Sequence, residues 1–294
     1  MKDIIYVLIT AARNEQQYIE KTIQSVVSQT ILPNKWVIVS DGSTDRTDEI
    51  VKRYEGYYDF IQLFRREPGD NRNFASQVYA QKTGISQLEG IEYQFLGLLD
   101  ADVSFERDYY ESVLGKFQEN AKLGIAGGIL FENIGGKWVR LDNSTSWSVG
   151  GPIQMFRREC YEAIDYIPLK RGGQDAIAEV MARMHGWEVR SFPGIVVLHH
   201  RITGTETRNI LSVRFQRGVA HHCNGNHPFF EVVRCLYRIF ERPYVLGSLF
   251  TLCGYLWSCI SGDEIMVPKD VVKYLRKEQV RRIVRLVWRR RNMP

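Results

Sequence analysis

A chain of 294 residues has room for one large domain or two small ones, and its 44% apolar and 25% charged composition excludes a disordered or fibrous protein. The net charge of +5 is unevenly placed: from Lys269 to Arg291 ten Lys or Arg stand against two acids, which leaves the remaining body at about −3. The five cysteines (Cys160, Cys223, Cys235, Cys253, Cys259) are odd in number and lack C-x-x-C spacing, and no secretory leader opens the sequence, so reduced thiols and a cytosolic setting are expected.

The chain opens with a β-rich run, Ile4 to Ile9, followed by a turn, Thr10-Ala-Ala-Arg-Asn-Glu15. Tyr18, Ile19, Thr22, Ile23, Val26 and Val27 then recur at helical spacing. Pro33 breaks that helix before an apolar run, Trp36 to Ser40, that ends in Asp41-Gly-Ser-Thr-Asp45. Ser43 or Thr44 is placed to cap a helix running to Val51. Asp59 to Phe64 reads as a strand and Asn73 to Leu88 as a helix. Phe95 to Leu99 is a second uninterrupted apolar run, ending in Asp100-Ala101-Asp102.

Short apolar runs bounded by turn residues are strands buried on both faces. Their alternation with helices predicts an α/β fold with a mostly parallel central sheet and right-handed crossovers. Ligands of such sheets bind beyond the carboxyl ends of the strands. Carboxylates at two of those ends therefore point to an anionic ligand bridged by a metal.

Beyond Asp102 the rhythm changes. Tyr109 to Gln118 is an amphipathic helix and Gly124 to Phe131 a glycine-interrupted strand; Ser144 to Phe156 carries Gly150-Gly151-Pro152. Arg158 to Ile164 and Gln174 to His185 read as helices, the second stopped by Gly186. Glu188 to Phe192 and Ile195 to Leu198 read as two strands leading into His199-His200-Arg201. Arg214, Arg217-Gly218 and His221-His222 form a glycine-bearing basic segment, expected to close over a diphosphate with Arg217 in contact. The histidine spacing matches no structural zinc pattern.

Tyr244 to Ile260 carries no charge. It falls at the lower limit of a spanning helix, about 17 residues, and is expected to be interfacial, buried in a core, or spanning. The next helix, opened by Pro268, sets Val280, Ile283, Val284, Val287 and Trp288 on one face and Lys and Arg on the other. That pairing predicts contact with an anionic membrane surface, not with nucleic acid.

Four motifs in this order and spacing resemble glycosyltransferase family 2 over roughly residues 3–200: Thr10-Ala-Ala-Arg-Asn-Glu15, Ser40-Asp-Gly-Ser-Thr-Asp45, Leu98-Leu-Asp-Ala-Asp102, and Gly172-Gly-Gln-Asp175 with Ala178, Met181-Ala-Arg183 and Gly186-Trp187. The resemblance implies a GT-A fold and an inverting enzyme that uses a nucleotide sugar, commonly a UDP-sugar. It divides the chain into a catalytic domain at 1–210 (nucleotide-binding half 1–102, acceptor half 103–210) and a helical extension at 211–294. A glycan or lipid-linked acceptor follows from the same reading, while a peripheral position on the cytoplasmic face of the membrane rests on 244–291, outside the stretch that carries the resemblance.

Family positions imply roles for individual residues. Asp41 would accept from the base edge; Thr10, Ala11 and Ala12 would line the base through their backbone, with Glu15 near base or ribose. Arg72 would face the nucleotide, although the Gly69-Asp-Asn-Arg-Asn73 stretch distorts the usual pattern. A leaving diphosphate is stabilised by a hard divalent cation, Mn²⁺ or Mg²⁺, needing only one or two carboxylates. Asp102 is the ligand candidate, with Asp100 on the ribose or on the metal through water. His199 and His200 follow a strand, and His200 is the preferred further metal ligand. Asp175 stands where the family places its general base; Gln174 replaces the usual Glu beside it. A sugar-phosphate nucleotidyltransferase or a non-catalytic nucleotide-binding protein are the alternatives. The first lacks its glycine-rich loop at Thr10 to Glu15, and the second is disfavoured by the presence of both Asp102 and Asp175. A dinucleotide-binding dehydrogenase is excluded because no G-x-G-x-x-G follows the first strand.

Overall fold

A computed structural model of the chain describes residues 4–67, 73–141, 146–201, 209–241 and 243–291, the side chains of 286–291 excepted. Arg72 lies outside the described residues. Contacts divide the chain into two units, Met1–Lys170 with Gln174–Ile202, and Arg171–Gly173 with Thr203–Pro294.

The first unit begins β1 (Tyr6–Ala12), α1 (Ile19–Val27), β2 (Lys35–Asp41), α2 (Thr47–Glu55), β3 (Ile61–Arg66), α3 (Ala75–Ser86), β4 (Phe95–Leu99). It continues β5 (Val103–Phe105), α4 (Tyr109–Glu119), β6 (Leu123–Ile134), β7 (Lys137–Arg140), β8 (Ile153–Arg157), α5 (Arg158–Ala163), α6 (Gln174–Met184), β9 (Glu188–His199). The strands form one sheet in the order β3-β2-β1-β4-β8-β6-β9-β5, with β7 beside β6. The first four are parallel, as the alternating pattern predicts. Tyr6, Leu8, Trp36, Ile38 and Leu96 are buried along them, with no side-chain exposure.

Beyond β4 the pairing is mixed. β8 runs antiparallel to β4 and β6, and β9 runs parallel to β6 and antiparallel to β5. The two strands expected at 188–192 and 195–198 are one. The register jumps from Gly127↔Ser191 to Ile129↔Val196, so the surplus β9 residues around Pro193 are accommodated as an irregularity.

The cap expected from Ser43 or Thr44 is supplied by Asp45, whose Oδ1 accepts from Thr47 N at 3.0 Å and Thr47 Oγ1 at 2.5 Å. Ser43 and Thr44 instead hold the loop after β1. Asn14 N donates to Ser43 Oγ (3.2 Å), and Thr44 N donates to Asn14 Oδ1 (2.9 Å). Asn14 adopts φ 55°, a conformation asparagine tolerates.

The second unit is helical: α7 (Ile210–Cys223), α8 (Pro228–Tyr237), α9 (Leu246–Ile260), α10 (Lys269–Arg291). The basic segment expected as a glycine-bearing lid is α7, a packed helix. Gly218 serves close approach there: a Cβ on it would lie 1.9 Å from the Thr251 carbonyl oxygen of α9, and one on Gly254 would lie 2.0 Å from the Phe215 carbonyl oxygen. One face of α9 is thus buried through Gly247, Thr251, Gly254, Tyr255 and Ser258, while Leu246, Leu249, Leu256, Trp257 and Ile260 are exposed. Among the described residues no helix is long and apolar enough to cross a membrane. The packed face of α10 is set by Val271, Val272, Leu275 and Gln279, with Val280 and Val284 exposed.

Candidate active site

Two loops and two strand ends build the site. The loop after β1 is pinned to the loop after β2 by Glu15 N donating to Thr47 Oγ1 (2.7 Å) and Gln16 N donating to Asp45 Oδ2 (3.1 Å). The Ser-Thr-Asp stretch of the second motif therefore exists largely to shape the first. β1 pairs with β2 as far as Ala12↔Ser40, but its pairing with β4 ends at Ile9↔Leu98. Thr10, Ala11 and Ala12 therefore continue past their β4 register, at the carboxyl ends of the strands, where sheets of this kind bind ligands. The Thr10 side chain takes no part: it is fully buried and its Oγ1 accepts from Trp36 Nε1 at 3.0 Å.

Asp41 ends β2, in register with Arg66 of β3. Arg66 Nε lies 3.3 Å from Asp41 Oδ1, and that buried oxygen has no hydrogen-bond donor. Asp41 Oδ1 thus has an ion-pair partner but retains unused hydrogen-bond acceptor capacity at a strand end.

Asp100 and Asp102 follow β4. Asp100 Oδ1 accepts from Gln77 Nε2 of α3 at 2.8 Å, and Gln77 Oε1 in turn accepts from Gln174 Nε2 at 3.4 Å. Burial, then the charge of Asp102, push the Asp100 carboxyl up to about 7, and the charge of Asp175 acts in the same direction. Asp175, in the first turn of α6, is itself raised by burial. It lies against the glycine loop before β8, where a Cβ on Gly151 would sit 2.9 Å from Asp175 Oδ2. The charge of Asp175 reaches Asp100, and the Gln77–Gln174 pair bridges Asp100 to the residue that precedes Asp175. Gln174, which stands where Glu is usual, belongs to this bridge; its Oε1 is buried without a donor.

Asp102 is the hub. Arg201 Nε donates to its Oδ2 at 3.1 Å, and Arg201 also pairs with Glu15. Arg201 Cζ stands 5.4 Å from the ring centre of Tyr18. His199 Nε2 lies 3.4 Å from Asp102 Oδ1, an ion-pair distance without hydrogen-bond geometry, so that buried oxygen has no donor. The other ring nitrogen of His199 contacts Glu132 Oε1 at 3.0 Å. Burial opposes the charge on His199, but Asp102 and Glu132 outweigh it and raise the imidazolium to about 10. Burial likewise opposes ionisation of Asp102, yet His199 and Arg201 hold it below the ordinary aspartate value. Glu15 is raised to about 7 by burial, against the pull of Arg201.

Of the two adjacent histidines it is His199, not the preferred His200, that stands beside Asp102. The β5–β9 register Val103↔His199 brings His199 to Asp102. The His200 ring turns to Ser104 Oγ (2.8 Å) and stacks on Tyr18 with centroids 6.3 Å apart. Strand alternation allows only one of two adjacent rings to face the site, and the sequence carries no signal as to which. Arg201, Gln77, Arg66 and Tyr18 are site residues that motif reading missed. Arg201 directly follows the His-His pair, and the charge it supplies opposite Asp102 and Glu15 was the available clue. Arg217 lies on α7 in the second unit.

Whether a divalent cation fits can be tested on these groups. Among the described residues no three His, Cys, Asp or Glu side chains form a metal cage. The undonated, buried Asp102 Oδ1 suits a hard cation that takes the rest of its shell from phosphate and water.

The model of glycosyl transferase family 2 matches residues 7–180, more than half of the chain. The chain belongs to this family. Curated relatives include the Streptococcus pneumoniae glycosyltransferase GlyA, 29% identical over 112 residues (38% of this chain, 15% of the relative). Another is the Staphylococcus aureus poly-beta-1,6-N-acetyl-D-glucosamine synthase, 28% identical over 120 residues (41% and 27%). The chain therefore covers no more than 27% of the length of either relative. Solved structures with this fold include S. aureus TarS 1-349 in complex with UDP-GlcNAc (TM-score 0.55, 13% identity, covering 74% of this chain and 66% of that one). The mannosyltransferase PcManGT of Pyrobaculum calidifontis, solved with GDP-Man and Mn²⁺, gives TM-score 0.55 at 15% identity over 92% and 78%. At such identity the likeness establishes the fold alone: this family member has the α/β, GT-A-type arrangement of those glycosyltransferases.

Proposed function

We propose that this protein is an inverting glycosyltransferase that moves a sugar from a nucleotide donor, a UDP-sugar first among them, to a hydroxyl of a glycan or lipid-linked acceptor. The observation that carries the proposal is that Asp100 and Asp102 follow the carboxyl end of β4, while Asp175 lies against the Gly150-Gly151 loop leading into β8, the strand paired with β4. Residues 1–102 form the nucleotide half and 103–210 the acceptor half. In the nucleotide half, the undonated oxygen of Asp41 accepts from the base edge, and the backbone of Thr10 to Ala12 lines the base. Glu15, tied to Arg201, sits toward the ribose, and Asp100 accepts from a ribose hydroxyl. Arg72 remains a candidate nucleotide contact outside the described residues.

Asp102, with His199 in the place first given to His200, would hold a divalent cation, Mn²⁺ or Mg²⁺; binding at His199 requires loss of its proton. Such a cation supplies Lewis-acid stabilisation of the departing diphosphate. Support for it comes from the Mn²⁺ of the PcManGT structure and from the undonated Asp102 oxygen. Asp175 takes the proton of the attacking hydroxyl. Its raised carboxyl strengthens it as a base, and the close pass of Gly151 fixes its position. A single base opposite the leaving group favours direct displacement, hence inversion.

The second unit (with most of 211–294) is proposed to rest on an anionic membrane surface from the cytoplasmic side. The exposed row Phe229, Val232, Leu236 and Phe240 in and just after α8, the exposed face of α9 and the basic α10 support this. Release of nucleoside diphosphate, measured with UDP-GlcNAc, other UDP-sugars and GDP-Man in the presence of Mn²⁺, tests the proposal. Turnover that Asp175→Asn removes is expected; no release or donor hydrolysis with any nucleotide sugar across acceptors overturns it. For the membrane role, Trp257→Glu with Ile260→Glu should abolish co-sedimentation with anionic vesicles, and unchanged sedimentation refutes it.

A further inference from the structure

A second charged centre lies wholly within the helical unit. Helices α7, α8 and α9 meet around a partly open cavity whose lining includes Arg214, Arg217, Arg234, Arg238, His221 and Glu241. Arg214 and Arg217 are three residues apart on α7, and Arg234 and Arg238 are four apart, in and just beyond α8. Each pair therefore shares a helix face, where like charges oppose one another.

Among the described residues, the acids at this cluster are Glu231 and Glu241, set against four arginines. Glu241 pairs with Arg238 at 3.4 Å. Glu231 is fully buried and taken by His221 (2.9 Å) and Arg234 (2.5 Å). Arg217 has no hydrogen bond or ion pair among the described residues, though its side chain is only partly exposed. Burial, and then the charges of Arg214, Arg238 and Arg234, push its guanidinium down to about 10. His221 is pushed to about 4 by burial and by Arg234, so it stays neutral and adds no charge of its own.

We propose that this cavity is a phosphate-binding site, in which Arg217 takes a phosphate mono- or diester with Arg214, Arg234 and Arg238 around it. Guanidinium forks match phosphate oxygens two at a time, and an anion here would remove the repulsion that the helices otherwise hold. The phosphate can be free or the headgroup of a lipid: Leu236, Phe240, Leu246 and Leu249, all exposed, neighbour the lining residues along the chain. The inference does not rest on the donor site described above.

The test uses the full chain. Pyrophosphate and inorganic phosphate binding are measured by calorimetry at constant ionic strength, and flotation is measured with phosphatidylcholine vesicles with and without phosphatidylglycerol. Arg217→Gln should weaken one of these interactions about tenfold or more, with Arg217→Lys recovering part of it and Asp102→Asn leaving it intact. Loss confined to free phosphate identifies a soluble ligand; loss confined to phosphatidylglycerol vesicles identifies a headgroup. Thermal unfolding of Arg217→Gln at or above the wild-type temperature shows that the loss is not misfolding. Binding of both probes unchanged in Arg217→Gln, or lost in Asp102→Asn instead, overturns the proposal.

Discussion

Arg201 is the group on which the first unit's site depends, and replacing it with methionine tests that dependence. The substitution keeps the side chain's bulk over Tyr18 but removes the cation that Asp102 and Glu15 share, leaving Asp102 with His199 alone and Glu15 without its Arg201 pair. Removing one partner of a buried ion pair costs about 3–5 kcal/mol; with Arg201 25% exposed the lower end applies, about 3 kcal/mol. For a unit of this size that corresponds to a fall in Tm of about 6–12 °C. The fall depends on pH in a definite direction. Glu15 already sits at about 7 through burial, and loss of Arg201 raises it further. Near pH 5.5 Glu15 carries its proton in both proteins and the missing charge matters less; the loss grows as pH rises through about 7, where Glu15 ionises in the wild type but still holds its proton in the variant. Glu15→Gln in the Arg201→Met background should restore much of the stability at pH 8, a coupling that a double-mutant cycle reads directly. Equal losses at both pH values, together with additive single and double variants, would refute the reasoning.

Further outcomes follow from the same geometry. Glu15, Asp100 and Glu179 are each raised to about 7 chiefly by burial, from 4.5, 3.8 and 4.5. The folded chain therefore keeps protons that the unfolded chain has lost, and ligand-free stability should decline as pH rises from about 4 through about 7; a flat or rising profile contradicts these shifts. Asp175→Asn should lower turnover by about 10²-fold or more while donor binding stays near wild type, read by single-turnover kinetics and calorimetry. Gly151→Ala presses a methyl against Asp175 Oδ2 and should lower kcat with little change in donor affinity. Gly254→Ala meets the Phe215 carbonyl at 2.0 Å and should destabilise the helical unit by about 1–3 kcal/mol or more, seen as faster proteolysis within 209–291.

What was legible in the sequence follows from how each feature is encoded. The parallel half was readable because β1, β2 and β4 are apolar runs ending in turns and α1 has a clear helical period. β5 and β7, of three and four residues, are too short to show a period, and β8 is masked by the glycines before it. The helical character of 211–294 was expected, but α7 and α8 were not drawn individually because basic residues and glycines there read as a closing segment, whereas Gly218 is a helix-contact residue that only its neighbour α9 explains. In the site, the acids at strand ends announced themselves. The choice between His199 and His200, and the roles of Gln77 and Arg201, depend on strand register and on helices far apart in sequence, which no local pattern carries.

The central claim is that Asp102 and Asp175 flank one donor site, and the most direct measurement is anomalous diffraction from crystals grown with UDP and Mn²⁺. A manganese peak beside Asp102 Oδ1, with the diphosphate next to it and Asp175 facing the vacant sugar position, is the expected result. A peak remote from Asp102, or UDP bound where Asp175 cannot reach the sugar position, would contradict the account.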